Sequence, residues 1–186
     1  MNFLDFGNMS RRSYLVHLAF FTALAVTVFI LESFIPKPMP FMKLGLANII
    51  ILMLLGSGNI KPGIIVAFTK SILGGLLAGT LFSPATLLSL SGTFFSLFLM
   101  IMLLKIPVNF SILGISIAGA VGHNFGQMII VRLVLIKENS IFYLTPVLII
   151  MGIATGIITG YLAKIFIDKL KEDFDEKHKV NTGSYE

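Results

Sequence analysis

The chain has 186 residues, 56% of them hydrophobic and only 12% charged, with a formal net charge of +5 and a mean hydropathy of +0.95. A water-soluble globule, in which about a quarter of residues carry charge, is excluded by that balance. The lack of cysteine excludes disulfides, thiolate metal sites and cysteine nucleophiles. The excess of positive charge is read as basic residues holding helix ends at the cytoplasmic face, not as a nucleic-acid footprint.

A helix needs about 20 apolar residues to cross the hydrocarbon of a bilayer. Six apolar stretches fill residues 14–167, so the expected fold is an all-α membrane protein, a bundle of six transmembrane helices. Residues 1–13 form a polar cytoplasmic lead ending in Arg11 and Arg12. The first helix is expected over residues 13–34. Its apolar run exceeds the roughly 7–15 residues of a cleaved signal, so it is read as retained, and Pro36, Pro38 and Pro40 stop it. The second, residues 42–55, is short for a span and ends at Gly56-Ser57-Gly58-Asn59; it starts earlier, tilts, or thins the bilayer locally. The third starts at Pro62, a good first-turn residue, and runs to residue 78. The fourth covers residues 85–104, after a turn from Gly79 to Pro84. The fifth covers 111–136, and Lys137-Glu138-Asn139-Ser140 closes it. The sixth covers 143–167 and leads into a charged cytoplasmic tail, residues 168–186.

Orientation follows from the basic residues near the helix ends. With both termini inside, the cytoplasmic side holds nine, namely Arg11, Arg12, Lys61, Lys105, Lys164, Lys169, Lys171, Lys177 and Lys179. The outer side then holds three, Lys37, Lys43 and Lys137. This bias predicts a multi-pass protein of the cell membrane with N and C termini in the cytoplasm.

The remaining cations, Lys70 and Arg132, lie inside helices, where a charge costs at least about 2.5 kcal/mol unless it faces a cavity or a partner. In this topology Lys70, Arg132, Lys43 and Glu32 all fall in the outer half of the protein. Three of the four are positive, which suggests a pocket open to the outside that captures an anionic solute. The alternative is that Glu32 pairs with one cation while the others snorkel to the headgroups. In the fifth helix Gly114, Ala118, Gly122 and Gly126 recur every four residues and form a smooth ridge for helix packing. His123, Asn124 and Gln127 project from roughly the opposite side, either as the floor of the solute pocket or as bonds between helices. Asn48, within the second helix, joins them as an orienting group. His17 is read as interfacial. The turn from Gly74-Gly75 to Ser83-Pro84 could serve as a lid, or its glycines simply relieve crowding.

Several chemistries are absent from the sequence. No Gly-x-x-x-x-Gly-Lys-Ser/Thr phosphate loop occurs, so the chain does not hydrolyse ATP by that route. The three histidines, 17, 123 and 178, lack metal-ligand spacing, and no cofactor is called for. The acidic run Glu172-Asp173-Phe174-Asp175-Glu176 lacks the paired-aspartate spacing that holds magnesium and diphosphate. Apart from Glu32, no acidic residue lies between residues 6 and 137, so prenyl chain elongation, which needs such carboxylates, has no catalytic set here.

The segments Lys43-Leu44-Gly45-Leu46-Ala47-Asn48-Ile49, Phe82-Ser83-Pro84, Leu88-Ser89-Leu90-Ser91-Gly92, Gly114-Ile115-Ser116 and Gly119-Ala120-Val121-Gly122-His123-Asn124-Phe125-Gly126-Gln127 resemble the Gx transporter family. That bacterial family is also labelled heptaprenyl diphosphate synthase component I. The build of six short helices looks like the substrate-binding S components of energy-coupling-factor vitamin transporters. Those proteins draw on a coupling subunit and ATPases in separate chains, which fits the missing phosphate loop. Ala19-Phe20-Phe21-Thr22-Ala23 is similar to the Ala-x-x-x-Ala pattern by which such components meet the coupling subunit. The resemblance implies a solute-capture subunit for a small, vitamin- or flavin-like molecule, and the charge and polar pattern read above makes that solute anionic, with Lys43, Asn48, Lys70, His123, Asn124, Gln127 and Arg132 in the binding site. The family's other label implies instead a non-catalytic membrane partner in polyprenyl synthesis.

Overall fold

The computed structural model describes residues 6–7, 9–35, 45–135 and 139–182, with the side chains of 139–141 and 173–182 left aside. Among them are six α-helices and no strand: α1 (Arg11–Ser33), α2 (Asn48–Gly56), α3 (Ile60–Leu77), α4 (Pro84–Lys105), α5 (Ile112–Ile130) and α6 (Thr145–Thr182). A π-helical turn, Val131–Leu135, prolongs α5, and a 3₁₀ segment, Asn139–Leu144, precedes α6.

Five of the helical segments are long and apolar enough to cross a membrane. The chain therefore forms an all-α, multi-pass membrane bundle. The exception is α2, whose nine described residues reach only about 14 Å at 1.5 Å per residue. Its run from Ile50 to Leu55 is buried without interruption. A helix apolar all round belongs inside a bundle, and α2 sits in the middle, touching α1, α3, α5 and α6.

The ends obey ordinary capping rules. Ser10 accepts a hydrogen bond from the Ser13 N–H at 3.3 Å to open α1, and Ser111 does the same for Gly114 at 3.0 Å to open α5. Pro84 sits in the first turn of α4, where its missing N–H is harmless. The boundaries differ from the sequence reading in three places. The second helix, expected from residue 42, begins at Asn48, because the left-handed Gly45 puts a turn before it. The fifth helix leaves α-geometry at Val131 and winds wider, a π-type insertion of the kind found at functional segments. The sixth does not break at residue 168 but continues to Thr182, because the lysines and glutamates of the tail are good helix formers.

Packing divides the bundle. α5 lies against α4 on one side and α6 on the other along most of its length. A methyl group on Gly126 would stand 2.8 Å from the Ser91 carbonyl oxygen of α4, and one on Gly156 would stand 2.6 Å from the Ile117 Cα of α5. The expected glycine ridge is thus real at Gly122 and Gly126. It fails at Gly114, where the one atom within 4 Å of such a methyl is the Ser111 hydroxyl of its own cap. The other half, α1 with α3, is more open: an apolar groove of about 600 Å³ runs between them, from Leu15 and Leu18 to Ile30 and Leu77.

Candidate functional site

The site begins with a turn. Gly45 takes φ +76°, a left-handed conformation that costs glycine nothing and other residues about 1 kcal/mol or more. Its N–H donates to the Glu32 carboxylate of α1 at 2.7 Å. Three residues on, Asn48 opens α2, and its side-chain oxygen accepts a hydrogen bond from the Lys70 ammonium of α3 at 2.7 Å. Glu32 and Lys70 are both only 4% exposed. The turn into α2 is therefore held from both sides, by a carboxylate on one helix and an ammonium on another. Charge-assisted bonds of this length are about twice as strong as neutral ones.

Asn48 also faces inward. Together with Gly45 it lines a small chamber whose other walls are Met100 of α4, Ser116, Ala120, His123 and Asn124 of α5, and Thr155 and Thr159 of α6. The chamber offers about 10 Å³, enough for about one water molecule. Its polar walls are locked to one another. Ser116 and Thr159 share a hydrogen bond of 2.9 Å, Thr159 donates to the Thr155 carbonyl at 2.9 Å, and the Gln127 side-chain nitrogen lies 3.2 Å from His123 Nε2. Asn124 donates to the Leu148 carbonyl at 2.9 Å, which ties α5 to the first turn of α6. The His123 ring rests on Gly92: a methyl group there would come within 2.7 Å of it. Histidine and glycine are complementary across the α4–α5 seam.

The structure brings together four of the sequence-derived site residues. Asn48, His123 and Asn124 line the chamber directly, and Lys70 reaches it through Asn48. Gln127 stands one step behind, against His123. Arg132 is only half-buried, lies on the π-turn two turns beyond Asn124 and is not among the lining residues. Lys43 lies outside the described residues. The polar trio of α5 does not share one face turned away from the ridge: His123 meets α4, as Gly122 and Gly126 do, while Asn124 meets α6.

The sequence reading missed Ser116, Thr155 and Thr159. The signal was present, since Thr155 and Thr159 are four apart in α6 and share a helix face. A second buried pair, Ser71 and Thr93, joins α3 to α4 at 3.0 Å. Among the described residues no group of three or more acidic, histidine or cysteine side chains could hold a metal ion.

Residues 21–166 match the family model described as heptaprenyl diphosphate synthase component I. The chain belongs to that family. No curated protein and no solved structure matches it. The match spans everything from the middle of α1 through the chamber to Phe166 of α6, so the Glu32–Gly45 and Lys70–Asn48 contacts lie wholly within the family's shared region.

Ala19 and Ala23 are exposed and line the groove between α1 and α3.

Proposed function

We propose that the protein is the solute-capture subunit of an uptake system for a small anionic molecule, vitamin- or flavin-like in size, energised by ATPases in other chains. The observation that carries this reading is the burial of Lys70 inside an apolar bundle, turned to Asn48 and the polar chamber. A buried ammonium in a membrane bundle marks a ligand or ion path unless it serves only as a structural tie. The chamber at about 10 Å³ is far below the ~300 Å³ of a small-molecule pocket. Admission of a solute therefore requires the turn before α2, with α1 and α3, to move off the α4–α5–α6 half. The open groove between α1 and α3 supports that division. An anion entering there takes over the Lys70 ammonium from Asn48, and Asn48 and Asn124 are left to orient it, with Lys43 and Arg132 contributing charge from the approach.

The positive bias of the loops supports both termini in the cytoplasm and the Glu32 end outside. The exposed Ala19 and Ala23 support a partner helix docking on α1, the place where a coupling subunit is expected by the resemblance to S components.

A second reading takes support from the family description itself: a non-catalytic membrane component of heptaprenyl diphosphate synthase. Gentle detergent extraction followed by identification of bound partners separates the two. Recovery of an ATPase pair with a coupling subunit supports capture and uptake. Recovery of a soluble prenyl synthase subunit instead, with no ATPase, overturns it.

A further inference from the structure

At the opposite end from Glu32 the bundle carries a second opening, independent of the capture site. A cleft of about 700 Å³ lies where the C-terminal end of α2 and the start of α5 face the far part of α6. Its apolar wall includes Gly56 and Phe110. Its polar rim is formed by Ser111, Lys164, Asp168 and Lys171. Lys164, Asp168 and Lys171 are spaced by four and three residues, which puts them on one stripe of α6. That stripe meets the membrane boundary, because the apolar run of α6 gives way to charged residues from Asp168 onward and Lys105 closes α4 at the same end.

A cleft in such a place meets lipid, not bulk water, along its apolar wall. The rim adds two ammonium groups and one carboxylate, an excess of positive charge at headgroup depth. We infer that this cleft is a binding site for one anionic phospholipid, its phosphate held between Lys164 and Lys171 and its acyl chains laid over Phe110 and the apolar flank of α6. A phosphate diester suits the rim because it accepts hydrogen bonds from both ammonium groups, while Asp168 accepts from a hydroxyl-bearing headgroup such as glycerol. Basic clefts between membrane helices recognise lipid in this way, each nearby lysine or arginine adding severalfold to the affinity. The site lies at the end to which the positive-inside bias assigns the cytoplasmic leaflet, and the same residues would hold lipid whichever solute the protein captures.

The test is native mass spectrometry of the full chain in detergent, titrated with phosphatidylglycerol, phosphatidylethanolamine or phosphatidylcholine. The wild-type chain is expected to retain one phosphatidylglycerol preferentially over both zwitterionic lipids. In Lys164→Gln/Lys171→Gln that preference should fall by roughly tenfold or more, and Lys164→Arg/Lys171→Arg should restore it. Lys61→Gln/Lys105→Gln, which removes the same charge outside the cleft, should behave as wild type. All the substituted lysines except Lys61 and Lys105 line the cleft, and all four are exposed, so folding is not at stake. Equal retention of phosphatidylcholine or phosphatidylethanolamine, an equal loss in the control variant, or displacement of the lipid by millimolar inorganic phosphate would each overturn the assignment.

Discussion

The α4–α5–α6 half and the α1–α3 half of the bundle are joined by different means. In the first, glycines bring backbones close enough that a single added methyl group at Gly126 or Gly156 meets main-chain atoms below 3 Å. In the second, α1 and α3 border an open groove of about 600 Å³, and beside the apolar contacts of Ala25, Leu52, Leu55, Val66 and Ala67 the turn into α2 is tied by the buried Glu32 and Lys70. Inside a bilayer there is no hydrophobic force between helices, so close van der Waals contact and interhelical polar bonds are the available means of association. The glycine half rests on the first, with polar bonds such as Ser116–Thr159 added, and is a fixed wall. The charged half adds the second to its apolar contacts, and polar bonds can be exchanged for bonds to a ligand in a way that a backbone contact cannot.

Substitutions that attack each means should separate the halves. The largest effect is expected for Gly156→Leu: the new side chain drives into the α5 backbone at Ile117, and overpacking of this kind costs about 3 kcal/mol or more. Loss of the folded band in a denaturation series in mixed detergent micelles checks it, and retention of wild-type stability would mean that α5 and α6 are not packed as described. Next, Glu32→Gln keeps the shape but removes the charge from the acceptor of the Gly45 N–H. A stability loss of about 1 kcal/mol is expected, since bonds to charged groups exceed neutral ones by roughly that amount. Protease accessibility of the turn before α2 should rise in this variant while α4–α6 stay protected; equal exposure of both halves would contradict the division.

Smaller still is Ser116→Ala with Thr159→Val. It deletes a buried bond between two helices already held by glycine contacts, and polar bonds in membranes average about 0.6 kcal/mol. Unfolding in the same micelles should shift by no more than about twice that. Arg132→Gln, half-buried and off the chamber wall, is expected to leave ligand retention within a factor of about three of wild type, since one more distant charge adds little. A complete loss of retention would place Arg132 in the first contact with the solute.

The membrane class and the six helices were legible from composition and from the length of the apolar runs, because burial in lipid demands both. Glu32 and Lys70 were legible as expensive residues within apolar stretches, and both are buried. The geometry was less so. That Glu32 reaches a backbone N–H depends on the positive φ of Gly45, a backbone state no residue pattern spells out. Arg132, near the outer end of its helix, was read beside Lys70 as a charge for the solute, but it stands half-buried and off the chamber wall. The helix face of His123 was misjudged by assuming that α5 packs on one side, whereas it packs on two. Ser116, Thr155 and Thr159 were overlooked because hydroxyls bonded within or between helices blend into an apolar stretch.

The capture claim turns on Lys70, and comparing what the wild-type chain and Lys70→Met carry out of the membrane tests it most directly. Mass spectrometry after mild extraction should find a water-soluble anion with the wild-type protein, at least tenfold depleted in Lys70→Met and regained in Lys70→Arg, while all three keep the same helical content. The account is contradicted if the Met variant retains the same anion undiminished, or if a polyprenyl lipid is the bound species in all three.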